Sequence, residues 1–74
     1  MSDTTTIATI QVNGRSEALG NETLAALLEE RGIDPGGRGV AVAVNGAVVP
    51  RAAWPRTRLS PGDAVEIVQA KQGG

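Results

Sequence analysis

The side chains of this sequence offer little chemistry. It contains neither cysteine nor histidine. Thiolate nucleophiles, disulfides and thiolate metal sites are therefore excluded, along with the usual neutral-pH base and the commonest metal ligand. Catalysis would fall to Ser, Thr, Lys and carboxylates. Ser16 and Ser60 have no histidine to activate them, so they read as strand and turn residues. Glu22, Glu29 and Glu30 fall in a helical pattern, where a solvated polar face is the usual reason for charge. Gly36-Gly37-Arg38-Gly39 lacks the Gly-Lys-Ser/Thr ending of a phosphate loop and precedes a strand instead of a helix. It reads as a connector. An enzyme in its own right is disfavoured by this inventory.

What remains is the main chain's own end. The sequence closes on "QAKQGG", with Gly73-Gly74 after the last predicted strand. The five residues beyond Gln69 extend roughly 17 Å when fully stretched. Such a tail is thin, lacks Cβ atoms at its tip and can thread a narrow channel to present a carboxylate. A carboxylate is a poor electrophile because its oxygen leaves badly. Transfer of AMP from ATP makes an acyl adenylate, whose leaving group is good. A persulfide can then attack, and reduction or exchange leaves a thiocarboxylate, –C(=O)S⁻. No catalytic side chain of the carrier is needed. The competing reading of the same residues is an uncovered flexible end without a role.

Composition narrows the partners. Net charge is −1 and the arginines are scattered, so no basic stripe points to nucleic acid. Trp54 is the single aromatic residue, so stacking platforms are absent too. No apolar run approaches the roughly 18 residues of a membrane span. "MSDTTT" lacks the charged and apolar regions of a signal peptide. The expected compartment is the cytoplasm, with no membrane partner and no bound cofactor or metal.

The elements that must hold the tail follow from pattern. At 74 residues the chain is one domain. Residues 1–6 read as a disordered extension, 7–69 as the folded domain and 70–74 as a flexible tail. Residues 7–12 alternate as a strand, Asn13-Gly14 is a hairpin turn, and 15–19 return. A helix is predicted over residues 22–31, with Asn21 as N-cap and Gly32 as stop. Its Leu24, Leu27 and Leu28 share one face, while Glu29, Glu30 and Arg31 are solvated. After a loop at 34–39, "VAVAV" points Val40, Val42 and Val44 one way and Ala41 and Ala43 the other. Asn45-Gly46 makes a second hairpin into "AVVP". Residues 51–59 are irregular, with one short helical turn near Ala52 and Trp54 expected to cap one end of the sheet. A Ser60–Asp63 turn leads to a last strand at 64–70. A helix this short needs a sheet to lie on. The order predicts an α+β, β-grasp (ubiquitin-like) fold, a mixed sheet of four to five strands with one main helix on one face.

With those elements in place, the sequence resembles the ThiS family, the sulfur carriers of thiamine biosynthesis. The resemblance runs from Ile10 to Gly74 through "QVNG", "TLAALLEERG", "VAVAVNGAVVPRAAW" and "LSPGDAVEIVQAKQGG". Pro50-Arg51 followed by Trp54 and the Leu59 to Asp63 turn is its most specific part. It implies adenylation of Gly74 by an E1-like (ThiF-type) enzyme that uses ATP. It also implies conversion of Gly74 to a thiocarboxylate by a sulfur donor, such as a cysteine desulfurase or another persulfide. Delivery of the sulfur to a ThiG-type thiazole synthase then follows. In such carriers the sheet face away from the helix docks on the adenylating enzyme, which here assigns Ala41, Ala43, Glu66 and Val68 to docking. Val68 also reads as a singly exposed apolar residue. Lys71, Gln72 and Gly73 are expected to line the channel entrance through backbone contacts. The nearest alternative is the small subunit of molybdopterin synthase or another thiocarboxylate carrier, although "VPRAAW" favours the thiamine reading. An alternative of another class is a β-grasp interaction module whose Gly-Gly ending is incidental.

Overall fold

A computed structural model of the chain describes residues 8–20, 22–34 and 39–70. Strand β1 (Thr9–Val12) turns into β2 (Arg15–Ala18), and the helix α1 (Leu24–Glu30) follows. Strands β3 (Val40–Val44) and β4 (Ala47–Val48) form a second hairpin, a 3₁₀ helix spans Arg51–Arg56, and β5 (Ala64–Gln69) ends the described chain. The sheet has the order β2-β1-β5-β3-β4, with β5 parallel to β1 and antiparallel to β3. The last strand is thus the central one. This five-stranded mixed sheet with its single α-helix is the β-grasp architecture.

Both hairpins are made by the Asn-Gly pairs. Asn13 and Asn45 have φ of 51° and 52°, and Gly14 and Gly46 have 84° and 85°. Two successive positive φ values define the tight turn whose twist matches paired strands, and Asn and Gly tolerate them best.

The helix differs from the prediction at both ends. Thr23, not Asn21, is the N-cap, and its Oγ1 accepts from the amide of Ala26 at 3.2 Å. The cause lies elsewhere in the chain. Thr23 pairs with Arg58 as an isolated antiparallel bridge, Leu24 N–H donates to Thr57 O, and Leu59 N–H donates to Glu22 O. That pairing keeps residues 22 and 23 extended, so the helix begins at Leu24; Asn21 lies outside the described residues. At the other end, Gly32 N–H donates to Glu29 O and Ile33 N–H to Leu28 O. With Gly32 at φ 78°, this closes the helix after Glu30 by a Schellman motif. Arg31 is tied to Glu17 on β2 by a salt bridge, so it is not simply solvated.

Leu24, Leu27 and Leu28 are buried with Ile10, Val12, Val42 and Val65, joining helix to sheet as the alternation requires. Trp54 is also a core residue, 1% exposed, which places it deeper than a cap on the sheet's end. Its indole N–H donates to Val49 O at 2.9 Å, so the ring is buried without losing its polar contact. Arg51, three residues earlier on the 3₁₀ helix, stacks its guanidinium 5.9 Å from the ring centroid. Three-residue spacing aligns side chains on such a helix.

Candidate functional site

The proposed reactive end can only be as well placed as the strand that carries it. Antiparallel register with β3 pairs Val44 with Val65, Val42 with Ile67 and Val40 with Gln69. The bonds Asn45 N–H to Ala64 O and Ala70 N–H to Gly39 O frame that ladder, at 2.7 Å each. Even-numbered residues of β5 therefore turn their backbone groups toward β3, and odd-numbered ones toward β1. On the β1 side, Gln11 N–H donates to Asp63 O and Asn13 N–H to Val65 O. The central strand is gripped from both edges.

Two side chains extend that grip. The Asn13 amide accepts from Ile67 N–H at 2.8 Å and donates to Ile67 O at 3.3 Å. It reproduces the two bonds of a strand residue just where β1 has ended. Asn45 accepts from Ala64 N–H and donates to Asp63 Oδ1, both at 3.0 Å. Asp63 in turn accepts from Ser60 N–H, which sets the turn into β5. The sequence marks both asparagines as turn residues, but this second duty carries no local signal because β5 is distant in the chain.

The ladder's last bond, Ala70 to Gly39, depends on a glycine. Gly39 has φ 79°, and a Cβ there would sit 3.4 Å from the Ala70 carbonyl oxygen. Ala70 is thereby fixed at the point from which the tail leaves. Lys71, Gln72, Gly73 and Gly74, expected to hold and present the terminal carboxylate, lie outside the described residues, as does the extension at 1–6.

The four residues assigned to docking come together on the sheet face opposite α1. Ala41 pairs with Val68 and Ala43 with Glu66 across β3 and β5. Val68 is 62% exposed, Glu66 and Ala41 are exposed, and Ala43 is half-buried. Ala43 also pairs with Val48 of β4, which is 76% exposed. Val48 was missed at the sequence level, although a two-residue Asn45-Gly46 turn fixes the Ala43–Val48 pairing. Val48 and Val68 thus flank the two alanines of β3. Among the described residues, Glu66 is the one charged side chain on this side of β3, β4 and β5. No helix of the described chain is long and apolar enough to cross a membrane.

A small mixed sheet around a single helix, with the terminal strand at its centre and one face uncovered by any described element, places the chain in the ubiquitin-like class. The ThiS family matches residues 9–74, and the chain belongs to that family of ubiquitin-like sulfur carriers. The crystal structure of the thiamine biosynthesis protein ThiS from Geobacter metallireducens is similar, with 29% identity and a TM-score of 0.72. That similarity covers 89% of this chain and 99% of that one. A solution NMR structure of a thiamine biosynthesis protein from the same organism is 32% identical, with a TM-score of 0.69, covering 89% of this chain and 87% of the other. No curated protein matches the chain.

Proposed function

We propose that this chain carries sulfur for thiamine biosynthesis as a thiocarboxylate on Gly74. An E1-like enzyme transfers AMP from ATP to the Gly74 carboxylate and releases pyrophosphate. A persulfide from a sulfur donor, such as a cysteine desulfurase, attacks the acyl carbon and AMP leaves with its electron pair. A thiol then attacks the outer sulfur of the resulting acyl disulfide. That thiol is oxidised into a new disulfide, and –C(=O)S⁻ is left on the carrier. Thiazole synthase consumes this sulfur in building the thiazole ring.

The chain itself contributes position, not catalysis. Asn13, Asn45 and the Gly39–Ala70 bond hold β5 in place, and Lys71 to Gly73 lead from it to the reacting group. The exposed face of Val68, Glu66, Ala41 and Ala43, with Val48 beside it, is the proposed docking surface for the adenylating enzyme. ATP belongs to that enzyme. The observation that carries the reading is the family match, which continues through the two glycines to residue 74.

Deleting Gly74, or appending one residue after it, tests the proposal. Both variants should unfold at the midpoint of the parent and deliver no sulfur to thiazole synthase. Delivery retained by either variant contradicts it.

A further inference from the structure

Asn45 is held in one orientation by its partners. Its Oδ1 accepts from Ala64 N–H and its Nδ2 donates to Asp63 Oδ1, both at 3.0 Å. A backbone N–H can only donate and a carboxylate can only accept, so the side-chain amide fits one way round. Asp63 has a further duty, because its Oδ2 accepts from Ser60 N–H at 2.8 Å. The neutral NH₂ of Asn45 is what lets that carboxylate lie against the turn. Next in the chain is Gly46, exposed like Asn45. An added Cβ there would meet no heavy atom within 4 Å beyond its chain neighbours. An asparagine followed by an unencumbered glycine is the pair in which a backbone nitrogen most readily attacks the preceding side chain. Gly46 N bonds to Asn45 Cγ, the Cγ–Nδ2 bond breaks, and the NH₂ leaves as ammonia with the proton from Gly46 N. Water then opens the cyclic imide at either carbonyl and leaves aspartate or isoaspartate. Nothing is oxidised or reduced.

We propose that Asn45 is a site of spontaneous deamidation, and that the product unfastens the turn leading into β5. Both side-chain bonds of Asn45 are exposed, and openings of such turns lie at the low end of the stability range. The product sets a second carboxylate against Asp63 where a donor had been. Two anions about 3 Å apart repel, with no hydrogen bond between them. One of them must turn away, and Ala64 N–H or Ser60 N–H then loses its acceptor. Isoaspartate adds a methylene to the main chain and displaces the same oxygens further. Asn13-Gly14 offers the same reaction with a milder outcome. A carboxylate at residue 13 still accepts from Ile67 N–H and faces a carbonyl instead of an anion, and Arg31 lines the same groove. Neither step involves Gly74, so the site stands apart from the sulfur-carrier reading.

The full chain is aged at mildly alkaline pH and its peptides are weighed, with aspartate and isoaspartate resolved. Asn45 should convert, exchanging one NH for one O at that residue. An Asn45 that stays intact in the folded chain, while an unstructured peptide with the same Asn-Gly pair converts completely, overturns the site. Two variants read the consequence. Asn45→Asp should lower the urea midpoint and speed exchange of the Ala64 or Ser60 amide about tenfold. The Ala70 amide, bonded to Gly39 O at the other end of β5, is the reference. Adding Asp63→Asn to Asn45→Asp swaps the two groups, so that one donor again faces one acceptor and both amides keep an oxygen. The double variant should return exchange to within about twofold of the parent, a coupling that independent losses would not produce. A parent-like midpoint and exchange in Asn45→Asp overturn the proposal, as does a double variant no better than the single one. If the single variant fails to fold, recovery in the double variant decides.

Discussion

Asn13 and Asn45 each do two jobs, and the second one gives the first its importance. Each sits at positive φ in a turn and each spends its amide on β5. Replacing Asn13 by Ala removes two hydrogen bonds, worth about 0.5–1.5 kcal/mol each. It also replaces asparagine, whose short polar side chain tolerates the left-handed conformation, by alanine, at a part of the roughly 1–2 kcal/mol which that conformation costs. We expect Asn13→Ala to lose about 1–5 kcal/mol in urea unfolding, and Asn13→Gly to lose less because only the bonds go. Equal losses in the two variants would remove strain from the account; no loss in either would remove the clasp. The turns themselves are plainly written in the sequence as Asn-Gly. The clasp is not, because Asn13 and Ile67 are 54 residues apart and no local pattern couples them.

At the scale of elements, α1 shows where pattern reading stops. Its apolar face, Leu24, Leu27 and Leu28, is legible from spacing and is buried as that spacing requires. Its start is not legible, because Asn21 and Thr23 are both good capping residues. The choice is made by Thr57, Arg58 and Leu59, which pair with residues 22–24. Thr23→Ala should therefore destabilise the fold by about 1 kcal/mol, the usual loss for a cap, measured by thermal or urea unfolding. An unchanged midpoint would take the capping role from Thr23. Trp54 makes a similar point. Its type suggests a structural role, but only the fold shows the Val49 carbonyl that its indole reaches. Trp54→Phe leaves that carbonyl without its donor, at about 1–3 kcal/mol, read by circular dichroism during unfolding. By contrast, Glu17→Gln breaks a salt bridge whose side chains are about a third exposed. It should cost no more than about 1 kcal/mol.

For the molecule as a whole, the division of labour runs between two faces of one sheet. The inner face stabilises the fold with Ile10, Val12, Val42 and Val65, and the outer face carries the proposed docking residues. Period-two alternation was enough to sort Ala41, Ala43, Glu66 and Val68 onto the outer face, since a strand offers only two sides. It did not reveal Val48, which required the hairpin register. We expect Val68→Asp to weaken binding of the adenylating enzyme by about 1–3 kcal/mol, as for a central apolar contact, without altering the unfolding midpoint. Affinity equal to the parent's would leave Val68 as an isolated exposed valine.

Whole-chain mass spectrometry reaches the central claim most directly. The protein is incubated with ATP, its adenylating enzyme and a sulfur donor, then weighed intact and fragmented from its C-terminus. The account predicts replacement of one oxygen by sulfur, confined to Gly74. An unchanged mass beside an enzyme shown to be active, or sulfur located on any other residue, would contradict it.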